Sequence, residues 1–291
     1  MFDSIAKDLK YQFQKKHSVL GLLIIINVAV FVILNLAYFI SRISPLNVYT
    51  FLGEQVFKMY TDWDYVLYRP WTVITTFFSQ ENFMHLLSNM LGLYWFGTII
   101  EEFINEKRLL SLYLLGGIVS SAMVLLLCNL IPYYENHHNF LLGASGAVFA
   151  VSVAAATIAP DYEFNLLLLG PVKIKWIVLV YLFLSLIGTV GDNSAGNIAH
   201  MGGAVFGYLY IHQLKNGRDF GRPFIRFFEW VSKLFKKRSP IKVSYRNNSN
   251  PSSNTTPNQK EIDDILDKIS RSGYESLTKE EKQKLFKASQ K

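Results

Sequence analysis

The sequence predicts an all-α, polytopic membrane protein in which six helices cross the bilayer and a helical tail follows them. Six apolar segments have roughly the 17–25 residues that a helix needs to cross the hydrocarbon core. Hydrophobic residues make up 51% of the 291-residue chain and charged residues only 18%, which is too apolar for an ordinary soluble domain. Basic residues are concentrated in alternate connections between these segments, as in multi-pass proteins.

The six predicted spans follow one another through short connections, except after the first. They are Val19 to Ile40, Phe83 to Ile104, Leu109 to Ile131, Leu141 to Ala159, Ile174 to Thr189 and Ile198 to Leu214. Residues 1–17 carry charges throughout, and the first span is longer than the apolar part of a signal peptide. We therefore expect the first span to remain in the mature protein.

The distribution of Lys and Arg orients these spans. Basic residues lie before the first span, after the second, after the fourth and in the tail. Before the first span these are Lys7, Lys10, Lys15 and Lys16; after the second they are Lys107 and Arg108; and after the fourth they are Lys173 and Lys175. The tail, from Lys215 onward, holds 18 basic and 9 acidic residues. All four regions fall on one side of a six-span topology, which the positive-inside rule makes the cytoplasm. We therefore expect a multi-pass protein of the plasma (inner) membrane with both termini in the cytoplasm.

The regions outside the six spans differ in composition. Residues 1–17 are predicted to be a basic interfacial segment, and residues 18–214 form the membrane domain. Residues 215–238 alternate aromatic with basic side chains, which predicts an amphipathic helix on the inner leaflet. Residues 239–259, rich in Ser, Asn, Thr and Pro, predict a disordered linker. Residues 260–291 predict two short helices, the second opening with the capping box Thr278-x-x-Glu281; they are either a docking module for an unknown partner or a solvated pair.

The connection from Ser41 to Asn82 is rich in aromatic residues. Aromatic side chains at this density are typical of the headgroup level, so we expect a partly helical structure in the outer interface. An ordinary extracellular loop is the alternative.

Charge and cysteine content exclude several functions. The net charge of +7 does not indicate nucleic-acid binding, because the residues up to Leu214 hold 11 basic and 13 acidic side chains and the excess belongs to the tail. The single cysteine, Cys128, lies in an apolar segment and is most simply a core residue. We expect neither a metal nor a cofactor, and we expect contacts with membrane lipids rather than nucleic acid.

Four polar side chains are predicted to lie at one depth, just below the outer surface. Ser145 and His200 lie near the outer ends of the fourth and sixth spans, and His85 and Asn89 lie in the outer half of the second. A lone serine, histidine or asparagine in a membrane helix usually only bonds a backbone carbonyl or a neighbouring helix. Four of them at one level favour instead a serine nucleophile with a histidine base.

Small residues line the fourth and sixth spans at helical spacing. Gly143 and Gly146 lie on the fourth, and Gly203 and Gly207 on the sixth. Such faces let helix backbones approach closely, although the pattern alone is common wherever membrane helices pack. Close approach is what a hydrogen bond of about 2.6–3.2 Å between a serine and an imidazole requires.

These residues resemble motifs of the rhomboid family of intramembrane serine proteases. The matching elements are Gly143-Ala144-Ser145-Gly146, Ala199-His200-x-x-Gly203-x-x-x-Gly207, His85-x-x-x-Asn89-Met90, Arg69-Pro70-Trp71 and Glu101. They occur in the family's order across residues 18–214, on three different spans. The resemblance therefore implies a six-helix rhomboid-like bundle.

The resemblance also implies roles for individual residues. Ser145 would be the nucleophile and His200 the general base, in a dyad without a carboxylate. Asn89 and His85, with backbone N–H groups of Ser145 and Gly146, would stabilise the oxyanion of the tetrahedral intermediate. Gly143, Phe149, Gly203, Gly207, Arg69, Trp71 and Glu101 would have packing roles. The substrates would be single-span or multi-span membrane proteins, cut near the outer face.

Two positions depart from the family's usual pattern. Phe149 stands where a tyrosine often packs against the histidine, so stacking is expected without a hydroxyl. Gln80 stands in a region where a histidine is frequent. The polar loop from Gly191 to Asn197 is short and flexible and is predicted to cap the site.

Two other classes of function compete with a protease. A transporter or channel would place polar residues along a path through the bilayer, but the inner halves of the spans do not continue such a path, and there is no clear inverted repeat. A catalytically dead relative would bind membrane segments without cutting them. The presence of both Ser145 and His200 argues against that reading.

Overall fold

A computed structural model of the chain describes residues 18–135, 140–166, 170–235 and 259–289. These residues are mostly helical and belong to two compact units, which divide between residues 236 and 237. The predicted interfacial segment 1–17, the end of the amphipathic region 215–238 and nearly all of the linker 239–259 lie outside the described residues.

The first helix, α1, spans Val19–Ile43. Ser18 caps it, since its Oγ accepts a hydrogen bond from the Gly21 amide at 3.1 Å. The Leu20 amide donates to Glu101 Oε1 at 3.1 Å. A carboxylate at a helix N-terminus complements the helix dipole, so Glu101 ties the end of the second predicted span to the start of the first.

The connection after α1 is partly helical, as predicted. It contains a π-helix over Thr50–Phe57, strand β1 over Met59–Tyr60, helix α2 over Trp63–Tyr68, helix α3 over Thr72–Thr75 and a 3₁₀ turn over Thr76–Phe78. Arg69 Nε donates to Gln55 Oε1 at 2.6 Å, and Trp71 Nε1 donates to the Gln55 carbonyl at 3.0 Å. Arg69 and Trp71 thus anchor the same residue of the π-helix.

Glu54 organises the same π-helix through its carboxylate. It accepts hydrogen bonds from Lys58 and Tyr60. Burial alone would raise the pKa of this carboxyl, but the two hydrogen bonds and the Lys58 charge lower the pKa overall. Because the pKa is lower in the folded state, the stabilisation from Glu54 is present at neutral pH and is lost as the pH falls through that lowered value.

Five further helices of the first unit occupy the positions of the other predicted spans, with bounds within four residues of the prediction. They are α4 over Phe83–Phe103, α5 over Glu106–Leu130, α7 over Ser145–Ile158, α8 over Ile174–Gly188 and α9 over Ser194–Lys215. A short helix, α6, spans Pro132–Glu135 in the connection after α5. Among the described residues, three helices are long and apolar enough to cross a membrane, namely α1, α4 and α5. Helices α7 and α8 are apolar but shorter.

Two predicted boundaries and one connection need correction. Strand β2, over Phe140–Leu141, pairs antiparallel with β1, so α7 begins only at Ser145. Helix α9 begins at Ser194, so more than half of the loop predicted from Gly191 to Asn197 is helical. Strands β3 (Glu163–Leu166) and β4 (Gly170–Lys173) form a hairpin between α7 and α8 that apolar patterning did not reveal.

Helix α7 lies at the centre of the unit and α8 at its edge. Small residues make up most of the buried surface of α7, among them Gly146, Ala150 and Ala154. Helix α8 buries Ile174, Val178 and Ser185, whereas most of its large apolar side chains are exposed. An apolar exposed face of this kind suits contact with lipid, and it leaves Ser185 as a buried polar residue on a peripheral helix.

The tail is mostly helical where the structure describes it. Helix α10 spans Arg222–Phe235 within the first unit. The second unit contains α11 over Gln259–Ser272, a 3₁₀ turn over Tyr274–Ser276 and α12 over Lys279–Ser289. The predicted capping box is present: the Thr278 amide donates to Glu281 Oε2 at 2.7 Å, and the Glu281 amide donates to Thr278 Oγ1 at 3.3 Å.

Candidate active site

The backbones of α7 and α9 touch through glycines. A Cβ added to Gly203 would lie 2.0 Å from the Gly146 carbonyl oxygen, and one added to Gly207 would lie 2.2 Å from the Ala150 carbonyl oxygen. Both distances are far inside van der Waals contact, so no larger residue fits without moving a helix. The small-residue faces predicted from the sequence therefore meet in the structure.

The His200 imidazole lies against the face of α7 that carries Ser145. The Phe149 ring stacks on it, with ring centroids 4.2 Å apart and an interplanar angle of 4°, which confirms the predicted stacking. Ser145 precedes Phe149 by four residues, and residues at this spacing share one face of a helix. His200 therefore lies on the Ser145 side of α7. No hydrogen bond joins Ser145 Oγ to another group in the part of the chain that the structure describes.

Ser145 is the first residue of its helix rather than lying one turn in, as the sequence had suggested. The residue before it, Ala144, gives the helix no side-chain cap. The first N–H groups of an α-helix have no partner within the helix. The amides of Ser145 and Gly146 are therefore available, next to the serine hydroxyl, to donate hydrogen bonds to an anionic oxygen.

His85 lies against the turn that leads into Ser145. A Cβ on Gly143 would lie 2.7 Å from His85 Cε1, and Gly143 has a φ of +146°, so this position favours glycine for two reasons. His85 Nδ1 is buried and has no hydrogen-bond partner among the described residues. The structure thus brings His85 to the same end of α7 as Ser145.

Asn89 lies one turn after His85, at the end of a buried chain of hydrogen bonds. Asn89 Nδ2 donates to Gln80 Oε1 (2.8 Å), Gln80 Nε2 donates to Asn27 Oδ1 (3.1 Å), and Asn27 Nδ2 donates to Tyr113 Oη (2.9 Å). Tyr113 in turn donates to the Phe77 carbonyl at 2.8 Å. Because the Phe77 carbonyl can only accept, the Tyr113 hydroxyl must donate to it and accept from Asn27. The side-chain amides of Asn27, Gln80 and Asn89 are thereby each fixed in one orientation, and Asn89 donates an N–H group to Gln80.

Ser185 of α8 contacts the His200 ring at Nδ1. Its Oγ lies 3.0 Å from His200 Nδ1. Other buried helical serines, such as Ser120 and Ser152, bond the carbonyl four residues earlier, as hydroxyls in membrane helices commonly do. Ser185 departs from that pattern and is directed at the imidazole. The sequence offered no signal for it, because a serine that bonds a side chain looks like one that bonds its own helix.

A family model for the Rhomboid domain matches residues 68–216, which is just over half of the chain. The chain belongs to the rhomboid family. Residues 252–291 match a family of unknown function, DUF6576, and this match covers helices α11 and α12 of the second unit. The rhomboid domain therefore contains Ser145, His200, His85 and Asn89, while the small helical tail lies outside it.

Curated relatives of this rhomboid domain are about equally distant from it. RHOMBOID-like protein 12, mitochondrial, of Arabidopsis thaliana is 28% identical over 168 residues, covering 50% of this chain and 47% of that protein. Presenilin-associated rhomboid-like protein A, mitochondrial, of Danio rerio is 28% identical over 142 residues, covering 48% and 36%. Rhomboid protein 1, mitochondrial, of Saccharomyces cerevisiae is 28% identical over 153 residues, covering 48% and 40%. The chain thus spans less than half the length of each relative.

These names contradict the location expected from the sequence. The three relatives are named as mitochondrial proteins, whereas the sequence led us to expect the plasma membrane. The error has a physical reason. The positive-inside rule reports which side of a membrane carries the basic connections, but it does not report which membrane that is.

The orientation of Asn89 in the rhomboid domain should depend on Gln80. We expect Gln80→Leu to leave Asn89 Nδ2 and Asn27 Oδ1 without the buried hydrogen bonds that Gln80 makes to them, and to lower the stability of the domain by about 1–3 kcal/mol. Gln80→Glu keeps the acceptor for Asn89 but loses the donor to Asn27. Thermal unfolding of the purified protein should rank the natural chain above Gln80→Glu and Gln80→Leu. Equal unfolding temperatures for all three would contradict the network.

Proposed function

We propose that this chain is an intramembrane serine endopeptidase that uses Ser145 as nucleophile and His200 as general base. The observation that carries the proposal is the stacking of Phe149 on His200, one helical turn from Ser145, where glycines bring the two helix backbones together. A base must come within hydrogen-bond reach of the hydroxyl that it deprotonates, and that contact is often loose before substrate binds.

The proposed reaction follows the acyl-transfer pattern of serine hydrolases. Ser145 Oγ attacks the carbonyl carbon of the scissile peptide bond while His200 Nε2 takes its proton. The amides of Ser145 and Gly146, with the side chains of Asn89 and His85, donate hydrogen bonds to the resulting oxyanion. His200 then gives the proton to the leaving amine, and water hydrolyses the acyl-enzyme.

Ser185 would select the active tautomer of His200 in this scheme. An imidazole that donates from Nδ1 to Ser185 Oγ keeps the lone pair of Nε2 free for the Ser145 proton. The same contact orients the ring against Phe149. Ser185 is therefore proposed as a positioning residue, and it takes the place that a carboxylate holds in a catalytic triad.

We expect Ser185→Ala to lower the cleavage rate by roughly tenfold, comparable to the loss of a hydrogen-bond partner that orients a metal-bound histidine, because the His200 ring then loses the contact that fixes its tautomer and orientation. Ser185→Thr, which keeps the hydroxyl, should retain most of the activity. A second measurement does not depend on activity: ¹⁵N NMR of the His200 side chain, in a Ser145→Ala background, should show the Nδ1–H tautomer. If Ser185→Ala leaves the tautomer populations unchanged, the positioning role is wrong.

Substrates are proposed to be membrane proteins with one or more spans. In the proposed six-span topology, α1, α4, α5, α7, α8 and α9 cross the bilayer, and Ser145 lies toward the side opposite Lys107 and Lys173. A substrate segment would enter laterally from lipid and unwind before cleavage, because helical amides are shielded by their own hydrogen bonds. Segments with small or helix-destabilising residues near the cut should therefore be preferred.

Reconstitution tests this function directly. The purified chain in liposomes, given a single-span reporter with small residues near one end of its span, should release one discrete product. Mass spectrometry should place the cut near the membrane face opposite Lys107. Binding of the reporter without any product would favour a catalytically inactive member of the family, and no binding would overturn the proposal.

A further inference from the structure

A cavity separates α10 from the membrane domain on the side that carries Lys107, at the opposite end of the domain from Ser145. It has a volume of about 510 Å³ and lies between the start of α5, the end of α9 and the first turns of α10. Four of its lining residues are basic and two are acidic: Lys107, Arg108, Arg222 and Arg226 face Asp219 and Glu229. The proposed mechanism uses none of them.

The acidic residues neutralise only two of the four basic ones. Arg108 pairs with Asp219 at 3.0 Å, and Lys107 pairs with Glu229. Arg222 and Arg226 form no ion pair with any residue that the structure describes. They lie four residues apart on α10, so they share one helix face and present two guanidinium groups to the same cavity. Guanidinium groups arranged in this way favour a phosphate oxyanion.

An apolar cavity of about 170 Å³ adjoins this charged one. Leu110, Phe224, Ile225 and Phe228 line it, and it shares Lys107, Ile225 and Glu229 with the charged cavity. The Phe227 and Trp230 side chains of α10 are exposed nearby, as expected for a helix that lies in the membrane interface. The site therefore offers a positively charged region and an apolar region in continuous contact.

We propose that this paired cavity binds an anionic glycerophospholipid. The phosphate would contact Arg222 and Arg226, and the start of an acyl chain would lie beside Leu110 and Phe224. Basic pockets at the membrane surface are typical sites for anionic headgroups. A zwitterionic lipid fits less well, because its ammonium group would meet uncompensated arginines. A soluble phosphate lacks the apolar part that the second cavity would cover.

Lipid titration of the whole 291-residue chain in detergent, followed by native mass spectrometry, tests the proposal. Phosphatidylglycerol should bind with a stoichiometry of one at concentrations where phosphatidylcholine does not. Arg222→Gln and Arg226→Gln should each weaken this binding roughly tenfold, as expected for loss of a charge-assisted hydrogen bond. Arg218→Gln is the matched control: it removes the same charge from an exposed residue near α10 that does not line the cavity, and it should change the affinity less than twofold.

Three outcomes would overturn the site. An equal loss in Arg218→Gln would mean that overall surface charge attracts the lipid. Binding of phosphatidylcholine as tight as that of phosphatidylglycerol would mean that Arg222 and Arg226 do not select an anionic lipid. Displacement of the lipid by soluble glycerol phosphate at equal concentration would assign the cavity to free phosphate rather than to a lipid. Because the assay does not measure proteolysis, its result is independent of the Ser145 and His200 proposal.

Discussion

Ser145→Ala and His200→Ala are each expected to lower cleavage of a membrane-embedded reporter by at least about 10³-fold. The first removes the group that forms the acyl-enzyme, and the second removes the base without which the hydroxyl is a weak nucleophile. Because the two residues act in one step, the double variant should be no slower than either single variant. Cleavage rates of the two single variants and the double variant, measured in liposomes, test both expectations.

Ser152→Ala provides the control for that experiment. Ser152 lies two turns further along α7, and its hydroxyl bonds the Val148 carbonyl at 2.8 Å. Its loss should leave cleavage within about twofold, since surface or carbonyl-bonded hydroxyls in membrane helices contribute little on average. Cleavage that survives in Ser145→Ala, or that falls equally in Ser152→Ala, would remove Ser145 from the mechanism.

Gly203→Ala is expected to have the largest effect on stability. The added methyl would meet the Gly146 carbonyl oxygen at 2.0 Å, and that atom belongs to the backbone, so it moves only with α7. Overpacking of this kind typically costs about 1–3 kcal/mol, and we expect the upper end of that range. The separation of α7 from α9 should also displace His200 from Ser145, where an error of about 1 Å costs roughly 10²-fold in rate.

Gly92→Ala is the matched substitution on α4. Its new methyl would meet a single side-chain atom, Val148 Cγ1, at 3.2 Å, and that atom yields by a small shift. Unfolding of both variants in detergent micelles should therefore show a clear loss for Gly203→Ala and a small change for Gly92→Ala. Equal losses would indicate that any added methyl disturbs the domain, and the close approach of α7 and α9 would not be special.

Much of the fold could be predicted from the sequence because lipid imposes simple requirements on length and polarity. Apolar runs located each long helix of the membrane domain to within four residues of its ends. The turn that delays α7 to Ser145 was missed, since it depends on the pairing of β1 with β2 across many residues. The hairpin of β3 and β4 was missed for a similar reason: its short strands have no clear period.

The site was predictable only in part. The choice of Ser145, His200, His85 and Asn89 followed from their depth and from family motifs, and the structure brings Ser145, His200 and His85 to one end of α7. Gln80 seemed only a departure from the family pattern, whereas it is a buried link between Asn27 and Asn89. Hydrogen bonds between side chains of distant segments leave no periodic signal, which is why Gln80 and Ser185 emerged from the structure alone.

Reaction with a fluorophosphonate tests the central claim most directly, because this reagent labels a serine only when a base activates it. Digestion and mass spectrometry of the labelled protein should locate one adduct on Ser145, and His200→Ala should abolish it while Ser152→Ala leaves it in place. An adduct on another serine, or labelling of Ser145 that does not depend on His200, would contradict the dyad.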